Sequence, residues 1–174
     1  MRAFYALPLW NRLDLGEIKD TLGSHGLRWV SEHQLHLTLH YLGEIAGEQL
    51  PEAAALLRRA ARCFPPFSLT WDRTGVFPHW NSPKVYWIGI CQPQAGQLAK
   101  LGAVLGNPRF QAHVTVARVK GTVPAMAVDK WKKTEILRAT VDVDSLCLVK
   151  STLTPHGPIY EVLERAVLEG ERQP

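Results

Sequence analysis

His36-Leu37-Thr38-Leu39-His40-Tyr41-Leu42-Gly43 sets polar residues at 36 and 38 against leucines at 37 and 39, and stops at a glycine. That alternation is the period of a half-buried strand, in which residues i and i+2 share a face. His36 and Thr38 then point to one side, while Leu37 and Leu39 anchor the other side in the core. His113-Val114-Thr115-Val116 repeats the pattern in the second half of the chain. Each strand holds an imidazole and a hydroxyl about 7 Å apart. A single strand of this kind is ordinary, because Thr favours strands. Two copies, each with aliphatic second and fourth positions, point to one cleft faced by two His and two Thr.

That residue set suits phosphodiester cleavage. Breaking a P–O bond with water needs a base for the nucleophile's proton and an acid for the leaving oxygen. Histidine titrates closest to neutrality, so a pair can hold one neutral and one protonated ring. Two hydroxyls can donate hydrogen bonds to phosphoryl oxygens as negative charge builds there. Zinc held by His33, His36 and His40 is excluded by spacing, since i and i+4 on a strand lie about 13 Å apart.

Outward from these strands, residues 2–7 read as a strand closed by Pro8, and residues 15–22 as a helix capped by Asn11 or Asp14. Short or buried strands follow at 27–30, 67–77 and 84–90, with a turn at 78–83. Apolar positions 50, 53, 54, 57, 60 and 61 mark the clearest helix, over 47–63, and Pro65-Pro66 ends it. Further helices are expected over 94–105 and 128–133. Strands over 136–149 and 160–168 are joined by the turn Pro155-His156-Gly157-Pro158. Mixed elements without βαβ alternation indicate an α+β fold with a largely antiparallel sheet.

The 174 residues suffice for one domain over 1–174, either one core or two similar lobes sharing one. With 46% hydrophobic and 21% charged residues the composition is that of a soluble globular protein. No apolar run of about 18 residues exists, so no membrane partner is expected. Residues 1–8 are too short for a signal peptide, and a cytoplasmic location is expected. A net charge of +4 permits an anionic partner. Cys63, Cys91 and Cys147 lie far apart beside apolar residues and are expected to be buried thiols, with no disulfide or zinc site.

The chain resembles the two-histidine phosphoesterase superfamily, specifically the bacterial and archaeal RNA 2′,3′-cyclic phosphodiesterases, also called 2′-5′ RNA ligases. The resemblance is carried by Arg2-Ala3-Phe4-Tyr5-Ala6-Leu7, by His36 through Leu42-Gly43-Glu44, and by His113 to Arg118. Leu148-Val149-Lys150-Ser151 and Gly157-Pro158-Ile159-Tyr160-Glu161-Val162-Leu163 extend it. It implies a two-lobed, pseudo-symmetric fold, mainly antiparallel sheets flanking a central cleft with helices outside, needing neither metal nor cofactor. It implies an RNA partner ending in a 2′,3′-cyclic phosphate, which is opened to a 2′-phosphomonoester. His36 would protonate the departing 3′ oxygen, His113 would activate water, and Thr38 and Thr115 would hold the phosphate. The reverse reaction would give a 2′-5′ linkage. A monomer is expected.

Arg118 fits the family's His-x-Thr-x-x-Arg pattern, yet strand parity places it opposite His113 unless a bulge intervenes. Tyr41 stands where the family often has Phe. It is open to stacking on a base, although parity opposes it to His36 and a core tyrosine is equally open. His40 shares His36's face if the strand is regular, and either Phe4 or Tyr5 lines the cleft. The segment 105–111 looks short, and Ala112 replaces a frequent Pro. A non-catalytic RNA-binding module, or a cyclic phosphodiesterase for a small nucleotide, remains the alternative.

Overall fold

The computed structural model describes residues 1–91, 94–136, 140–155 and 157–171, with residue 21 described by its backbone alone. The first alternating stretch forms β3 (His36–Glu44), paired antiparallel with β1 (Arg2–Pro8). β8 (Ser145–Thr154) and β9 (Gly157–Val167) complete a four-stranded sheet in the order β3-β1-β8-β9. The second motif forms β6 (His113–Val119), which lies between β2 (Leu27–Trp29) and β5 (Val85–Ile90). β4 (Phe67–Phe77) and β7 (Thr140–Val143) extend this second sheet to the order β2-β6-β5-β4-β7. Every recorded pairing is antiparallel.

Among the described residues, four α-helices cover the outer faces. α2 (Leu50–Cys63) buries Leu57, Ala60 and Ala61 at helical spacing and packs on β8 and β9. Pro51 sits in its first turn, where a missing N–H costs nothing. α3 (Gln94–Val104) packs against β3 and β4, and α1 (Gly16–Leu22) against α4 (Ala125–Lys132). One apolar cluster joins both sheets, with Leu37, Leu39, Val114 and Val116 all fully buried in it. Each such side chain contributes about 1.5–3 kcal/mol on burial, so the motifs' aliphatic positions hold their polar neighbours in place. A smaller cluster of Phe4, Ala6, Cys147 and Val149, packed by Trp10 and Tyr160, lies on the other face of the first sheet.

The pairing registers carry the detail that positions the site. Tyr5 faces His40 and Ala6 faces Thr38, which leaves Leu39 as an extra residue on β3. Tyr86 faces Ala117 and Trp87 faces Thr115, which leaves Val116 extra on β6. Both motifs therefore bulge at their fourth residue, and each strand's parity flips beyond that point. The Leu39 bulge is tied to the loop before the second motif, since the Asn107 side-chain amide donates to the Leu39 carbonyl at 2.9 Å.

Three expectations are corrected. The strand expected over 136–149 is two strands in different sheets, because the chain turns at Asp144 from β7 to β8; residues 137–139 of that stretch lie outside the described residues. The fourth helix starts at Ala125, three residues early. Of the three cysteines only Cys147 is buried; Cys91 is half-buried and Cys63 exposed. Cys63 lies off the Leu57-Ala60-Ala61 stripe, so helical periodicity turns it outward. His156, expected in a turn, lies outside the described residues. Among the described residues no helix is long and apolar enough to cross a membrane.

Asn107→Ala is expected to cost about 1–2 kcal/mol by leaving the bulge carbonyl without its donor. Urea unfolding reads this, and an unshifted midpoint would remove the proposed clamp between loop and bulge.

Candidate active site

A cleft of about 560 Å³ opens between the two sheets, and His36, Thr38, His113, Thr115 and Arg118 all line it. The two histidines are held identically. The Nδ1–H of His36 donates to the Gln34 carbonyl at 2.7 Å, and that of His113 to the Gln111 carbonyl at 2.7 Å. A carbonyl only accepts, so Nδ1 carries the proton in each ring and Nε2 is the nitrogen left for chemistry.

Aromatic rings brace both imidazoles. Phe4 lies 5.0 Å from the His36 ring, and Tyr160 meets it edge-on at 5.0 Å. Phe77 meets His113 edge-on at 4.9 Å, with Trp87 at 6.1 Å. Trp87 can lie there because its ring covers the backbone of Gly75, where any Cβ would collide with it. Phe4 and Tyr5 divide as adjacent strand positions must: Phe4 serves the cleft side, and Tyr5 turns into the core to donate to the Ala53 carbonyl at 2.9 Å.

Electrostatically the cleft is one-signed. Among the described residues no Asp or Glu lines it, and the charged side chains that do are Arg28 and Arg118. Burial pushes the pKa of both histidines below the ordinary 6.5, the Nδ1 hydrogen bonds oppose this, and the Arg118 guanidinium lowers both further. These shifts favour neutral imidazoles. Among the described residues no group of three or more His, Cys, Asp or Glu is placed to hold a metal ion.

The bulges decide which neighbours join. Beyond Val116 the parity flips, so Arg118 lies on the cleft side with His113 and Thr115. Beyond Leu39 the same flip moves His40 away from His36 to the face it shares with the buried Tyr5, next to Gly106 after α3. His40 is therefore not a cleft residue. Tyr41 pairs with Phe4, and so shares the cleft-side face of the first sheet. It is 53% exposed and does not line the cleft, nor is it a core tyrosine. His25, His33 and His79 are exposed. The short segment 105–111 is pinned by Asn107 to β3.

Arg28, Gln34 and Tyr160 also line the cleft, although the motif reading passes over them. Gln34 donates to the Pro158 carbonyl at 3.0 Å and so ties the β8–β9 hairpin to the approach to His36. A signal for part of this is present in the chain, because the repeat is longer than four residues. Gln34-Leu35-His36 and Gln111-Ala112-His113 place a glutamine two residues before each histidine.

A model of the 2′-5′ RNA ligase superfamily matches residues 6–154. The chain is 36% identical over 188 aligned positions to a Thermotoga maritima protein named RNA 2′,3′-cyclic phosphodiesterase, covering 98% of this chain and 97% of that one. It is 35% identical to a Thermus thermophilus protein of the same name, covering 98% and 92%. Its fold superimposes on the crystal structure of TT0787 of Thermus thermophilus with a TM-score of 0.82 at 33% identity, covering 99% and 100% of the two chains. Escherichia coli LigT complexed with 3′-AMP superimposes with a TM-score of 0.75 at 25% identity, covering 96% and 97%.

The lowered histidine pKa values have a consequence for stability. Well above pH 6.5 both rings are neutral whether the chain is folded or unfolded. Below it the unfolded chain takes up protons that the folded one resists, so stability is lost as pH falls toward the depressed values. Urea midpoints are expected to fall between about pH 6.5 and 5, and to fall less in His36→Gln. An equal fall in both proteins would show that His36 is not the cause.

Proposed function

The chain belongs to the 2′-5′ RNA ligase superfamily, and we propose that it opens the terminal 2′,3′-cyclic phosphate of an RNA to a 2′-phosphomonoester. The observation that supports this best is the duplicated geometry: two imidazoles, each locked by a carbonyl at Nδ1, line one cleft with two threonines and, among the described residues, no carboxylate. The relatives' shared name supports the substrate.

A 2′,3′-cyclic phosphate brings one negative charge between the sheets. Arg118 and the Thr38 and Thr115 hydroxyls meet its non-bridging oxygens. The anion raises the pKa of the nearby rings, so one of them holds a proton at neutral pH. His113 takes a proton from water at Nε2 as the water oxygen bonds to phosphorus. His36 gives its Nε2 proton to the 3′ oxygen as the P–O3′ bond breaks, which leaves the phosphate on O2′. The spent rings then exchange protons with solvent. With a 5′-hydroxyl in place of water, the same displacement bonds O5′ to phosphorus as P–O3′ breaks, and a 2′-5′ linkage forms. Protons move only between imidazoles, water and sugar oxygens, and this assignment requires no metal.

Incubating an oligoribonucleotide that ends in 2′,3′-cyclic phosphate with the protein in EDTA tests the scheme. A 2′-phosphate product is expected; a 3′-phosphate would reverse the division between the histidines, and loss of turnover on chelation would end the metal-free mechanism. His36→Ala and His113→Ala should each lower kcat/KM by about 10²–10⁴-fold, and Thr38→Val or Thr115→Val lower kcat by about 10²-fold or more. The pH profile of kcat/KM should be bell-shaped, with its alkaline limb set by an acid depressed below 6.5 in the free enzyme. That limb should move to higher pH in kcat, once the bound anion raises the acid's pKa.

A further inference from the structure

Arg28 and Arg118 stand directly opposite each other across the β2–β6 pair. Opposed Cα atoms in such a pair lie about 5 Å apart, and like charges at that spacing destabilise a sheet. Among the described residues neither guanidinium has a carboxylate within ion-pairing distance, whereas Arg2, Arg12, Arg58, Arg73 and Arg165 each have one. Both line the cleft. An unneutralised pair aimed into a cleft that binds one phosphate has charge to spare for a second.

The two arginines are not equivalent in place. Arg118 is close enough to influence the titration of both histidines and of Tyr160, while Arg28 influences Tyr160 and neither histidine. Arg28 is thus farther from the two imidazoles, on the edge strand of the second sheet. There it faces the tip of the β8–β9 hairpin. Gly157, with φ +126°, itself carries no side chain, and a Cβ there would lie 3.6 Å from Arg28 Nη1. Thr154 closes the tip by donating to the Gly157 carbonyl at 2.6 Å. The guanidinium thus lies between one sheet's edge and the other sheet's hairpin, where it lines the cleft.

We propose that Arg28 binds the internal phosphodiester one nucleotide upstream of the cyclic end, so that the cleft selects an RNA chain over a lone cyclic nucleotide. This rests on the phosphodiesterase reading and adds to it the feature by which length is sensed. Arg118 remains with the reacting phosphate, and Arg28 supplies the second contact.

The test compares kcat/KM for cytidine 2′,3′-cyclic phosphate and for a dinucleotide ending in the same group, with wild type, Arg28→Ala and Arg28→Lys. Wild type is expected to prefer the dinucleotide. Arg28→Ala should reduce that preference by about tenfold or more, mainly through KM, and Arg28→Lys should restore part of it. A dinucleotide whose internal phosphate is a neutral methylphosphonate should behave with wild type as the normal one does with Arg28→Ala. Equal losses on both substrates, or a methylphosphonate that serves as well as the phosphodiester, would overturn the proposal. A wild-type protein that turns over neither substrate would instead defeat the phosphodiesterase reading itself.

Discussion

Two hydrogen bonds of 2.7 Å, from the Nδ1–H of His36 to the Gln34 carbonyl and from that of His113 to the Gln111 carbonyl, set the conditions for everything else in the cleft. They fix the tautomer, and so decide which nitrogen of each ring is available. They also fix ring orientation, because the accepting carbonyls belong to the backbone entering each strand. Each carbonyl is in turn held in register by the apolar residue beside it: Leu35 is fully buried before His36, and Ala112 is buried before His113. Core packing and proton chemistry thus meet within three consecutive residues, twice. The symmetry of the hold also means that either imidazole has the geometry for either role. The assignment of acid and base therefore draws on family resemblance.

The bulges at Leu39 and Val116 are the second constraint. A bulge adds twist and reverses side-chain parity downstream, and here the same position in both motifs does so. On β6 the reversal brings Arg118 into the cleft beside His113 and Thr115. On β3 it withdraws His40 from the cleft and packs it near Gly106 after α3. A regular strand in either place would have exchanged those outcomes, with a third imidazole in the cleft and no guanidinium close to the histidines.

Electrostatics complete the arrangement. A cleft lined, among the described residues, by two arginines and no carboxylate is poorly suited to holding protonated histidines, and burial adds to that bias. In the proposed reaction the anionic substrate would bring the charge that stabilises the acid's proton. Braced by Phe4, Tyr160, Phe77 and Trp87, the rings have little freedom to escape by rotating toward solvent.

The sequence by itself determined the α+β class, most of the elements, and the four residues His36, Thr38, His113 and Thr115, because these follow from the two-residue period of a strand and need no knowledge of its partner. It also carried, in Gln34 and Gln111, a longer repeat than its four-residue motifs reveal. Only the tertiary structure decided what depends on pairing. Bulges are properties of two strands in register, so neither Arg118's arrival nor His40's departure is visible in one strand's alternation. The separation of β7 from β8 at Asp144 is a choice between two sheets, and no local pattern encodes it. Arg28 had no motif to mark it; it became a candidate when β2 paired with β6 and set one guanidinium opposite another across the cleft's edge.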